Sequence, residues 1–116
     1  MNSTLTPEAI ASRVLFRGIH LPLTAALTQA AHDKAARLFR HEEHIIRLRI
    51  DLEHVEATEA NRQFTAKGHL EISGPDLVAT VASDDAYKSI DLLVDKLDGL
   101  LRRRHGRRVN TRNDPE

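Results

Sequence analysis

Lys34, Arg37 and His41 recur at intervals of three and four residues, with Arg40 beside them. On a helix that spacing puts the three on one stripe. Lysine supplies point charge and arginine forked hydrogen bonds, the chemistry that tracks a phosphate backbone. An ordinary solvated helix face would carry the same pattern. Further on, Lys88, Lys96 and Arg103 are eight and seven residues apart, again about two helical turns each. Tyr87, the only tyrosine, suits stacking on an unpaired base or packing over a sheet edge. The densest feature is Arg102, Arg103, Arg104, Arg107, Arg108 and Arg112, six arginines with no acid among them. Cations suit a helix C-terminus, but six exceed what a helix end requires. Composition alone would also admit a nuclear-targeting signal, which nothing else in the chain favours.

Catalytic chemistry finds little support. His41-Glu42-Glu43-His44 superficially resembles a zinc motif, yet the helical metalloprotease pattern needs its histidines four apart so that both face the metal. Here they are three apart, where a helix is ending, and read as surface histidines. There is no cysteine, which removes thiolate nucleophiles, disulfides and cysteine-type zinc sites together. No Ser-His-Asp order, phosphate-binding glycine loop or dinucleotide turn is present. The expectation is a non-enzymatic protein with no catalytic residue, cofactor, metal site or small-molecule substrate.

The 116 residues carry a formal net charge of +0, the size of one domain. A domain this small buries only roughly 60 to 70% of its unfolded surface, which favours a binding face over a deep enclosed site. Neutrality would argue against a polyanionic partner if the charges were evenly spread, but the basic runs are separated from Glu53, Glu56, Glu59 and most aspartates. Neither a leader-like N-terminus nor an apolar run of about 18 residues occurs. A soluble, cytoplasmic protein with no membrane contact is expected.

The elements that must position these residues follow from periodicity. Residues 13–18 are β-favouring and end on Gly18, a first strand. Thr24 is an N-cap candidate for a helix with apolar positions Leu27, Ala31, Ala35 and Leu38, reaching about Arg40. From Ile46, strict alternation sets Leu48, Ile50 and Leu52 against Arg47, Arg49, Asp51 and Glu53, a strand with one wet face. Residues 54–62 lose the period and read as a long hairpin loop. Phe64, Ala66, Gly68, Leu70 and Ile72 resume alternation, Ser73-Gly74-Pro75 marks a turn, and Leu77 to Ala82 form a fourth strand. A second helix carries Ala86, Ile90, Leu93, Val94, Leu97, Leu100 and Leu101 to about Arg104. The order β-α-β-β-β-α begins with a right-handed crossover between parallel strands. An α+β fold results, with a four-stranded mixed sheet and two helices packed on one face. Residues 1–12 are expected to be a flexible extension, 13–104 the binding domain and 105–116 a flexible basic tail.

Asp85-Ala-Tyr87-Lys-Ser-Ile90-Asp91-Leu-Leu-Val94-Asp95-Lys96-Leu97 resembles the D-M-Y-x-A-I-D-x-x-I-D-K-L signature of the ribosome hibernation-promoting factor and ribosome-associated inhibitor A family. Leu23-Thr24-Ala25-Ala26-Leu27 is similar to its I-T-x-A-L helix start, and Lys34-Ala-Ala-Arg37-Leu38 to its K-x-x-K-L. The likeness runs from about Arg13 to Arg104. It implies the same β-α-β-β-β-α order and a protein lodged on the small ribosomal subunit where tRNA and mRNA would sit, repressing translation in stationary phase or stress. Lys34, Arg37, Lys96 and Arg103 match basic positions of that family, and with the charge stripes and the lone tyrosine described above the expected rRNA contacts are Lys34, Arg37, Arg40, Tyr87, Lys88, Lys96, Arg102, Arg103 and Arg104. The chain departs from the pattern at Ala86, where methionine is usual, at Gly99, where the family has Arg or Lys, and at Thr28, where the first basic row often starts. With no second, dimerising domain after a linker, the resemblance is to the short form. The alternative is a stand-alone domain of double-stranded-RNA-binding type that does not act on the ribosome.

Overall fold

The computed structural model describes residues 7–41, 44–56 and 62–113. Its elements are α1 (Pro7–Arg13), β1 (Val14–Ile19), α2 (Ala25–His41), β2 (Arg47–Glu56), β3 (Arg62–Glu71), β4 (Leu77–Ser83) and α3 (Ala86–Asn113). The strands form one sheet in the order β1-β2-β3-β4. β1 and β2 are parallel, joined across α2, while β2–β3 and β3–β4 are antiparallel. The expected α+β class and mixed sheet under two helices are borne out, with a short additional helix at the front.

Pleat periodicity decides which face is dry. Register aligns Val14, Leu48, Leu70 and Leu77 in one row across the sheet and Phe16, Ile50, Gly68 and Ala79 in the next. Leu48, Ile50, Leu52, Ala66 and Leu70 are fully buried beneath Leu27, Ala31, Ala35 and Leu38 of α2 and Ile90, Leu93, Val94 and Leu97 of α3. Gly68 makes that seat possible: a Cβ there would lie 3.0–3.2 Å from methyls of Leu97 and Leu93, so a bare backbone lets α3 settle close to the sheet. Alternate residues such as Arg49, Asp51 and Lys67 lie on the opposite face, where Arg17 pairs with Asp51 at 2.9 Å and Arg49 with Glu71 at 3.3 Å.

Local chemistry fixes the element ends. Thr24 Oγ1 accepts a hydrogen bond from the Leu27 amide at 3.1 Å, capping α2. Asp85 Oδ1 accepts from the Tyr87 amide at 3.1 Å at the start of α3. The buried Ser89 Oγ donates to the Phe64 carbonyl at 2.6 Å and lies 2.6 Å from Ser83 Oγ, tying the first turn of α3 to paired ends of β3 and β4. Gly74 takes a φ of 90° at the β3–β4 turn, a conformation glycine adopts without strain.

Three boundaries differ from those periodicity suggests. β2 and β3 continue to Glu56 and from Arg62, because His54 occupies an inward position and stacks on its partner Phe64, with centroids 4.9 Å apart. A polar residue type there hides the alternation; residues 57–61 lie outside the described residues. Pro7–Arg13 is helical where a loose extension was expected. Proline suits the first helical position, Ile10 packs on the core, and Arg13 donates to the Ile45 carbonyl at 3.2 Å. The backbone of α3 also stays helical to Asn113, beyond the end expected near Arg104; arginine is a good helix former, and Gly99 and Gly106 each cost only about 1 kcal/mol.

Candidate nucleic-acid interface

The nine basic and aromatic candidates fall into separate groups. Lys34 and Arg37 lie on the side of α2 that borders α3, and neither faces an open groove of like charge. Lys34 Nζ is 3.2 Å from Asp91 Oδ1, and Arg37 NH2 donates to Asp95 Oδ1. Arg102 likewise reaches back one turn along α3 to Asp98 at 3.1 Å. Asp91, Asp95 and Asp98, spaced four and three, form an acidic stripe facing the basic stripe of α2. That hydrogen bond with Asp95, reinforced by the fields of Asp95, Asp98 and Asp91, raises the Arg37 pKa above its ordinary value against the opposing effect of burial. The guanidinium is charged at every accessible pH.

The second group is open. Lys88, Lys96 and Arg103 are exposed along the solvent face of α3 and make no ion pair among the described residues. Leu92, 38% exposed, and Gly99 lie between them on the same face. A Cβ on Gly99 would meet only the mobile end of Arg103, at 3.9 Å. Arg40 is exposed on α2, and Tyr87 is 48% exposed at the start of α3, leaving its ring accessible to a partner.

Arg104 stands apart. Its NH2 donates to the Pro75 carbonyl at 2.7 Å, so it clamps α3 to the β3–β4 turn. The remaining arginines of the run, Arg107, Arg108 and Arg112, have side chains outside the described residues, as do His41, Glu42 and Glu43. No grouping of metal-ligand residues occurs among the described residues, and no described helix is long and apolar enough to cross a membrane.

The acidic stripe is the feature that sequence reasoning missed. Its signal was present: Asp91, Asp95 and Asp98 carry the helical spacing sought among the cations, one stripe over from Ile90, Val94 and Leu97. Only the packing of α2 against α3 shows that the two rows meet.

Residues 14–109 match the model of the family described as sigma 54 modulation protein / S30EA ribosomal protein. The chain belongs to this family. A curated relative, the ribosome hibernation promoting factor of Azotobacter vinelandii, is 35% identical over 86 residues, which is 74% of this chain and 76% of the relative. The resemblance to hibernation-promoting factors seen in residues 85–97 is thereby borne out. Among solved structures, a ribosomal subunit interface protein from Coxiella burnetii superposes with a TM-score of 0.71 at 22% identity, over 80% of this chain and 97% of that one. The N-terminal domain of Thermus thermophilus Protein Y gives 0.61 at 24% identity, over 76% and 92%. These two establish a shared fold. In this S30EA-family domain the cations are partnered in the α2–α3 seam, while Lys88, Lys96 and Arg103 on the outer face of α3 have no ion-pair partner among the described residues.

Proposed function

We propose that this protein is a ribosome hibernation factor that binds rRNA of the small subunit in the channel otherwise occupied by tRNA and mRNA. It represses translation in stationary phase or stress and acts in the cytoplasm by occupancy rather than catalysis. Membership of the S30EA family supports the ribosome as partner. The observation that carries the choice of surface is the exposed row Lys88, Lys96 and Arg103: cations without a carboxylate partner among the described residues are the ones that can release counterions from a phosphate backbone. Lys34, Arg37, Arg40 and Tyr87 flank this row and extend the footprint onto α2 and the start of α3. Arg104, committed to Pro75, contributes by holding α3 in place.

Cosedimentation of the full chain with purified small subunits, repeated with tRNA in the A or P site, tests the reading. Binding that weakens steeply with salt and is mutually exclusive with tRNA is expected. Simultaneous, stable occupancy by both at full stoichiometry would overturn the placement. Equal preference for free duplex RNA would favour a stand-alone RNA-binding domain.

A further inference from the structure

We propose that Asp91 and Asp95 are specificity-determining residues: their carboxylates hold Lys34 and Arg37 in the free protein and disfavour any partner that offers only phosphates. This deepens the reading above and rests on it, because it assumes that the α2–α3 seam faces the RNA. Both pairs bridge the two helices, and all four side chains remain between 34% and 56% exposed, so the seam can be reached by a ligand without unfolding. Exposed pairs of this kind are worth little, and a phosphate can take over either cation. It then lies beside the displaced carboxylate, since Lys34 Nζ and Asp91 Oδ1 are 3.2 Å apart. Two like charges about 6 Å apart in water disfavour an equilibrium by about threefold, so two such encounters give roughly tenfold.

A surface that also presents donors escapes this penalty. Ribose 2′-hydroxyls and base amino groups can donate to a carboxylate while neighbouring phosphates engage the cations. A folded rRNA surface offers both kinds of group, whereas a plain DNA duplex lacks the 2′-hydroxyls and presents chiefly phosphates to a shallow seam. The acids therefore select against indiscriminate polyanion binding by a domain whose function requires Lys and Arg on its surface.

The test uses the full chain carrying Asp91→Asn and Asp95→Asn, with a DNA duplex of about 20 base pairs and purified small subunits as probes. DNA affinity is expected to rise about tenfold, with a log–log salt slope steeper by about 1 to 2, while small-subunit affinity stays unchanged or falls. Asp95→Glu, which keeps the charge, should retain the low DNA affinity, separating an electrostatic role from a loss of packing. Unchanged or weaker DNA binding, or an equal gain for both probes, overturns the inference. Its failure is distinguishable from failure of the functional reading: Lys34→Gln with Arg37→Gln should weaken small-subunit binding, and wild-type binding by that variant would remove the seam from the ribosome interface whatever the DNA arm reports.

Discussion

The two sides of α3 carry similar residue types to different ends. On the side facing α2, every described lysine or arginine has a carboxylate partner: Lys34 with Asp91, Arg37 with Asp95 and Arg102 with Asp98. On the solvent side, Lys88, Lys96 and Arg103 have none among the described residues. A cation already paired contributes little to the long-range field that draws a polyanion in, whereas an unpaired one contributes fully. Counting basic residues on a surface thus overstates its charge unless the facing acids are counted with them. Under the proposed function, the outer row would attract and the inner seam would discriminate.

The most damaging way to break the contrast is to remove the seat that both sides share. Leu97 is fully buried and contacts the space left by Gly68, so Leu97→Ala should cost about 2 to 5 kcal/mol, read by denaturant unfolding. Both the inner and outer rows should then lose function together. Gly68→Ala attacks the same seat from the sheet side, forcing the Leu93 and Leu97 methyls to shift, and should cost about 1 to 3 kcal/mol. Neutral behaviour of both variants would mean that α3 is held chiefly by its ends, through Ser89 and Arg104.

Next in size comes the contrast itself. Replacing Lys88, Lys96 and Arg103 together by glutamine should leave stability nearly unchanged, since exposed substitutions usually stay within about 0.5 kcal/mol each. Small-subunit binding should weaken, and its salt slope should shrink by roughly 2 to 3. The Lys34→Gln, Arg37→Gln variant should lose less slope, because those charges are half-neutralised before binding begins. Glutamine is the right probe in the seam: charge reversal there would place four carboxylates together and confuse a folding defect with a binding defect. A larger slope change from the seam pair than from the outer row would invert the comparison.

Most of the architecture was legible because burial follows period. Strict alternation in residues 46–52 and 64–72 and the apolar helical stripes fixed strand order, helix placement and the dry face. What stayed hidden depended on partners in space. The α1 helix is too short to be stable alone and gains its order from contacts with α2 and from Arg13 reaching Ile45. His54 reads as loop until Phe64 is placed beside it. At the site, residue types identified the cations, but Asp91, Asp95 and Pro75 decide which of them are committed, and no spacing rule along a single helix reveals a neighbour on another element.

The smallest expected effect sharpens the contrast by adding to the outer row. Gly99 lies on the solvent face of α3 between Lys96 and Arg103, and open space surrounds it apart from the end of Arg103. Gly99→Lys should therefore stabilise the domain by up to about 1 kcal/mol through helix propensity alone, visible as a raised denaturation midpoint with unchanged cooperativity. The added ammonium would sit one turn from each neighbouring cation, where like charges offset a few tenths of a kcal/mol of that gain. Binding to small subunits should tighten modestly and its salt slope should grow by about 0.7 to 0.9, one phosphate contact. Gly99→Ala separates the two contributions, since it supplies the helix propensity without the charge. If Ala and Lys tighten binding equally, the gain comes from a stiffer helix, and the outer face of α3 does not touch the phosphate backbone at this turn.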